Sequence, residues 1–241
     1  MPKYDLNAYF FENKNDSSFQ SERSCNQAAM ADLICSARER SSIKSIMSGK
    51  RVAINKLNVD NFLSLANSSK ILHTATHSCV DENNVSDSKI YMNKSYLTVS
   101  QIRNAQINSE LTILSSCESG FGNIFNGEGA LSIAKAFFQA GSKSALVSLW
   151  PVDDCSTSDI MKYFYHNLVQ GKDKAASLAA AKKEYLANAH PSRSHPYYWA
   201  GFVLIGDAEP IFHNPSSPNP FIILIGIISL ILLFLFYYFR K

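Results

Sequence analysis

The sequence predicts an α/β fold, a mostly parallel sheet flanked by helices, followed by a single C-terminal transmembrane helix. Three observations carry this expectation. Short apolar, β-branched runs (ILHTAT at 71–76, LTILSS at 111–116, ALVSLW at 145–150) alternate with stretches of helical spacing. That is the pattern of buried parallel strands joined by helices. The 241-residue chain is long enough for one sizeable core. Residues 221–239 read FIILIGIISLILLFLFYYF, without a charge or a proline.

Taken in order, residues 1–20 are rich in Asn, Ser and Asp and are expected to be a poorly ordered N-terminal segment. A folded domain is expected over 21–212. It opens with a helix around 26–46, stopped by Gly49, and a shorter helix over 58–66. The first strand, 71–76, is followed by a small hairpin or strand-turn-helix over 89–92 and 96–102, with LTVSQI as a helix start. After the strand at 111–116 comes a glycine-punctuated loop, SGFGNIFNGEG, then a helix over 130–140 that stops at Gly141. Beyond the strand at 145–150, Ile160, Met161, Phe164, Tyr165 and Leu168 recur at helical spacing, as do Leu178, Ala181 and Tyr185. YWAGFVLI at 198–205 reads as a final strand, and no internal repeat is visible.

Residues 213–220, containing NPSSPNP, form a linker that breaks regular structure. The nineteen residues of 221–239 would span about 28 Å as a helix, close to the hydrocarbon thickness of a bilayer. A core helix apolar on every side would need a large protein around it. Tyr237 and Tyr238 sit where an interfacial belt belongs, with Arg240 and Lys241 as the exit flank. The N-terminus lacks the apolar stretch of a signal peptide. The expectation is a single-pass tail anchor that contacts membrane lipid, with the domain on the cytoplasmic side.

Composition excludes some classes. Net charge is +3, from 23 Lys+Arg against 20 Asp+Glu, without a basic stripe interleaved with aromatics, so no nucleic-acid partner is expected. The five cysteines are irregularly spaced with no CxxC pair. This argues against a disulfide framework and a structural zinc module, and for free thiols in a reducing compartment. No cofactor motif is present.

In open α/β sheets, sites gather off the carboxyl ends of strands. His77 follows ILHTAT and Cys117 follows LTILSS, so adjacent strands would present an imidazole beside a thiol. An imidazole lowers the thiol pKa and later protonates the leaving group. The backbone amides of Ser78 and Cys117 could hold the oxyanion. On residue types alone, a buried free cysteine and a satisfied core histidine are the competing account. Zinc on His73, His77, Cys79 and Cys117 is a third account. On a strand, however, His73 and His77 would stand about 13 Å apart, too far to share one ion. No metal is therefore expected, and His73 is expected to pack within the sheet.

The motifs are more specific taken together. HTATHS, then LSSCESGFG forty residues on (117 − 77), then GEGALSIAKAFFQAGSKSALVSLWPVDDCST, closely resembles the CHAT family of caspase-like peptidases. KYFYHNLVQGKDKAASLAAAKKEYL and HPYYWAGFVLIGD continue the resemblance, which covers about residues 29–207. It implies a caspase-haemoglobinase fold with His77 and Cys117 as catalytic dyad and a protein or peptide substrate. Such domains often accompany tetratricopeptide repeats, and bacterial examples often add a membrane helix. The chain thus looks like a CHAT domain without its sensor region, with a separate repeat protein as a possible regulator. One departure stands out: Ser78 replaces the glycine that usually follows the catalytic histidine.

Asp153 and Asp154 fall in the loop that resembles the substrate-pocket wall of related peptidases. An acid there, Asp154 foremost, could pair with a basic residue before the scissile bond. The alternative is that they favour the N-terminus of the next helix, beside Ser156 and Thr157. Glu128 reads as a first-turn helix residue and Glu118 as loop surface. The expected function is a membrane-tethered cysteine endopeptidase, and the alternative is a catalytically silent binding or signalling module on the same fold.

Overall fold

The computed structural model describes residues 8–12, 34–47, 59–79, 84–92, 95–115, 128–212 and 228–229. A five-stranded sheet is built in the order β1 (Ala8–Glu12), β2 (Ile71–Ala75), β6 (Leu111–Leu114), β7 (Ser144–Ser148), β8 (Phe202–Gly206). The first four strands are mutually parallel and β8 runs antiparallel to β7. A second, antiparallel sheet of β3 (Ser78–Cys79), β4 (Lys89–Met92) and β5 (Ser95–Thr98) is inserted after β2. Mixed α/β architecture with a mostly parallel sheet is therefore what the apolar runs foretold.

Every residue of β2, β6 and β7 is buried, as expected of strands covered on both faces. The helices supply the cover: α1 (Ser36–Ile46), α2 (Val59–Asn67), α3 (Val99–Arg103), α4 (Glu128–Ala140), α5 (Asp154–Val169) and α6 (Lys174–Asn188). Leu72, Leu114, Ala145 and Val147 join Phe62 of α2, Ile102 of α3 and Ile133 and Phe137 of α4 in one apolar cluster. The alternate row, His73, Ile113, Leu146 and Leu204 in register, lies on the opposite face, and there His73 meets α1 and α5.

Local chemistry sets the boundaries. Thr98 caps α3 through a reciprocal box: its Oγ1 accepts from Gln101 N–H at 3.2 Å and its N–H donates to Gln101 Oε1 at 2.9 Å. Gly141 ends α4 at φ +114°, where a Cβ would run into Ile107 O.

Three expectations need correction. The segment 1–20 is not wholly irregular, because AYFFE forms β1, paired in register with β2 from Ala8↔Ile71 to Glu12↔Ala75. Its polar flanks conceal the four-residue apolar run Ala8–Phe11 in the sequence. The last strand starts at Phe202 rather than 198, because His195 and Pro196 open a short 3-10 turn over Pro196–Tyr198. The third concerns the cysteines: Cys35 and Cys155 form a disulfide, with Cα atoms 5.1 Å apart. They are 120 residues apart, so spacing carried no sign of the pair, and the free-thiol argument for a reducing compartment loses its premise here.

Among the described residues, no helix is long and apolar enough to cross a membrane. Of 221–239, only Ile228 and Ser229 are described, both helical and exposed. The expected anchor otherwise lies outside the described residues.

Candidate active site

His77 lies two residues beyond β2, in the joint where the main sheet hands over to the small one. It is 3% exposed. Its carbonyl accepts the N–H of Tyr91 at 2.9 Å, and Thr76 Oγ1 donates to Tyr91 O at 2.5 Å. The next residue, Ser78, is paired with Ile90. Tyr91 of β4 thus grips the chain on either side of the imidazole. Ser78 begins a strand, and strand backbone is open to any residue. At this position serine therefore needs no conformation reserved for glycine.

The neighbouring strand, β6, ends one residue short of the end of β2. Thr74 pairs with Leu114, and Ser115 N–H donates to Thr74 O at 3.0 Å. His77 is three residues past Thr74 (77 − 74), and Cys117 is three residues past Leu114 (117 − 114). Cys117 and Glu118 themselves lie outside the described residues, as does the side chain of Cys79.

Beneath His77, β2 carries a polar contact that sequence reasoning missed. Glu39 of α1 places Oε1 3.0 Å from His73 Nε2, with side-chain exposures of 1% and 2%. Tyr165 OH lies 3.1 Å from His73 Nδ1, the two rings nearly parallel at 5.8 Å between centroids. Both ring nitrogens of His73 thus face protein partners. The available signal was Glu39's position: Ser36, Glu39 and Ile43 share the buried stripe of α1, and a carboxylate on such a stripe demands a partner.

Asp153 and Asp154 stand at the head of α5. Asp153 is its N-cap, accepting Ser156 N–H at 2.8 Å and Ser156 Oγ–H at 2.7 Å, with Arg193 Nη1 3.5 Å away. Asp154 Oδ2 accepts Cys35 N–H at 2.5 Å. Burial raises the Asp154 carboxyl above its ordinary range, against the lowering effect of that N–H, while Glu39 and Asp153 add to the rise. In the preceding loop, Trp150 Nε1 donates to Tyr197 O at 2.9 Å. Glu128 is the first residue of α4. Cys35, Asp154 and Cys155 bring three ligand atoms within 4.8 Å of one another, but the sulfurs are spent on each other.

The CHAT domain family model matches residues 10–207. The chain belongs to the CHAT domain family. This CHAT domain is 33% identical over 121 residues to Tetratricopeptide repeat protein 28 of Mus musculus, and 32% identical over the same length to that of Homo sapiens. Those stretches are 50% of this chain and 5% of each relative, so the chain spans only a small part of the curated relatives it matches. Among solved structures it is similar to the Arg-specific cysteine proteinase gingipain R (RgpB), with a TM-score of 0.54 at 9% identity over 85% of this chain and 46% of that one. The complex of Porphyromonas gingivalis RgpB pro- and mature domains gives 0.51 at 8% identity, over 86% and 48%. At such identities the likeness concerns the fold, and it makes this CHAT domain caspase-like in architecture.

Proposed function

We propose that this chain is a cysteine endopeptidase of the CHAT type, acting on a protein or peptide through a His77–Cys117 dyad. The observation that supports the reading is the pairing of Thr74 with Leu114 near the carboxyl ends of the adjacent parallel strands β2 and β6. In the sequence, His77 and Cys117 each come three residues after one member of that pair. In this mechanism the Cys117 thiolate attacks the scissile carbonyl carbon, and His77 holds the thiol proton and then delivers it to the leaving amine. The backbone amides of Ser78 and Cys117 hold the oxyanion, and water completes hydrolysis of the thioester. Asp153 and Asp154 belong to the same proposal as the acidic pocket wall. A basic side chain entering there would compete with Arg193 for Asp153 and with Cys35 N–H for Asp154. The stretch 221–239 tethers the domain to a membrane, with the domain on the cytoplasmic side. A separate repeat protein would serve as regulator, a role suggested by the kinship with tetratricopeptide repeat proteins.

One observation favours a second reading, a silent binding or signalling module. His77 is almost wholly buried, and a substrate carbonyl must come within reach of its ring. Incubating the purified chain with a diverse peptide library separates the two readings. The peptidase reading expects new termini that vanish in Cys117→Ala. The silent-module reading expects no cleavage and partner capture unchanged by Cys117→Ser.

A further inference from the structure

We propose that the Cys35–Cys155 bond is a reversible thiol–disulfide latch joining the heads of α1 and α5, worked by exchange with low-molecular-weight thiols and disulfides. The latch does not depend on the peptidase reading.

Its first support is that the two cysteines are held together by contacts other than the bond between them. Arg38, three residues into α1, donates to Cys155 O at 2.8 Å and to Ser158 Oγ at 3.2 Å, and pairs with Asp159 at 3.2 Å. Cys35 N–H donates to Asp154. Deeper in the interface, Glu39 meets His73. These contacts do not use sulfur, so they persist when the bond opens and keep the thiols poised to close again. Preorganisation of this kind is what separates a reversible pair from two cysteines that drift apart once reduced.

The second support is access. Both cysteines are only partly buried, unlike the sealed strands behind them, so a small thiol can reach the bond. The third is chemistry. Cys155 lies in the first turn of the sixteen-residue α5, whose unpaired N–H groups favour an anion. The nearest acid, Asp154, keeps a carboxylate oxygen within 4.8 Å of both sulfurs and so does not favour one over the other as thiolate. The first turn of α5 then makes Cys155 the leaving thiolate.

Opening proceeds by attack of a small thiolate on the Cys35 sulfur, breaking the Cys35–Cys155 bond and releasing the Cys155 thiolate, which takes a proton from solvent. A second small thiolate then attacks the outer sulfur of this mixed disulfide and frees Cys35. In sum, two small thiols become one small disulfide, and one protein disulfide becomes two protein thiols. Closing is the reverse, with a small disulfide as oxidant. The consequence is mechanical: Glu39 is one turn beyond Cys35, so the latch fixes the end of α1 that brings Glu39 to His73 on β2.

The test equilibrates the full-length chain across a range of reduced-to-oxidised glutathione ratios and quenches with acid. Thiols are then labelled with two alkylating reagents of different mass, and Cys35 and Cys155 are followed by peptide mapping, which separates them from Cys25, Cys79 and Cys117. Thermal unfolding is recorded for each state. The latch predicts that Cys35 and Cys155 convert together with a midpoint inside the range, and that reduction lowers Tm by about 5–10 °C. Cys35→Ser and Cys155→Ser should lose the dependence of Tm on the ratio. The proposal is overturned if the pair stays reduced or stays bonded at every ratio. It is also overturned if the pair converts with no change in the Tm of the unmutated chain, a comparison that stands even if the serine variants fail to fold. Stoichiometric zinc binding by the reduced pair that blocks reoxidation would assign the cluster to a metal instead and contradict the latch.

Discussion

Ser115 donates its backbone N–H to the carbonyl of Thr74 at 3.0 Å, where β6 ends opposite Thr74, one residue before the end of β2. Everything proposed for His77 and Cys117 depends on that pairing, because His77 is three residues past Thr74 and Cys117 three past Leu114, its partner across the strands. The other side of His77 is fixed by Tyr91 of β4. The His77 side of the candidate site is therefore a joint between two sheets, with its backbone tied to both.

Thr76→Val keeps the shape of the side chain and removes its hydroxyl bond to Tyr91 O. The carbonyl of Tyr91 then loses its partner, at a cost of about 1–2 kcal/mol in urea-induced unfolding. If His77 is catalytic, labelling of Cys117 by an electrophilic peptide should slow by more than the stability loss alone explains. An unchanged labelling rate would separate this tie from the chemistry.

Glu39→Ala leaves the buried His73 imidazole facing a cavity where a carboxylate stood. The expected loss is about 3 kcal/mol by chemical denaturation, within the range for breaking one side of a buried pair. Tyr165→Phe removes only the hydroxyl near His73 Nδ1 and should cost about 1 kcal/mol. Equal effects from the two variants would contradict the leading place given to Glu39.

Asp154 offers a pH test. Burial is the first cause of its raised pKa, so the folded state favours the protonated acid. The stability tied to that proton is present below the unfolded carboxylate value and is lost as pH rises through the raised folded value. Asp154→Asn has no proton to lose and can still accept the Cys35 N–H. The variant should therefore be the more stable at pH 7, by less than about 1 kcal/mol because the group is half in solvent. The gain should disappear near about pH 3, below the ordinary value for an aspartate. Denaturation midpoints at the two pH values provide the comparison.

Gly141→Ala places a methyl group against Ile107 O at a backbone angle that L-residues rarely adopt. The expected cost is about 2–3 kcal/mol, seen as a lower thermal midpoint without loss of helical circular dichroism at low temperature.

Much of this fold is local and so could be read from the sequence. The runs at β2, β6 and β7 are apolar on both faces, α5 and α6 repeat at helical spacing, and the Thr98–Gln101 box and Gly141 mark helix boundaries through their own chemistry. What escaped was non-local or small. β1 is five residues inside a polar segment and becomes a strand because β2 offers it an edge. Glu39 looks like a surface charge until α1 is laid over His73. Cys35 and Cys155 meet only when the heads of α1 and α5 do. At the candidate site, the residue types and their order were legible, and the register of β2 with β6 adds that Thr74 and Leu114, each three residues before one of them, lie opposite each other. Asp153 illustrates the limit: its spacing to Ser156 allowed both a cap and a pocket acid, and the described contacts are those of the cap.

The most direct test of the central claim is covalent labelling of Cys117 by peptides bearing a thiol-reactive electrophile, followed by mass spectrometry of the modified peptide. The dyad predicts selective modification of Cys117 over Cys25 and Cys79, a rate that falls at least about 100-fold in His77→Ala, and no adduct at that site in Cys117→Ala. Labelling at the same rate in His77→Ala, or no preference for Cys117 among the thiols, would contradict it.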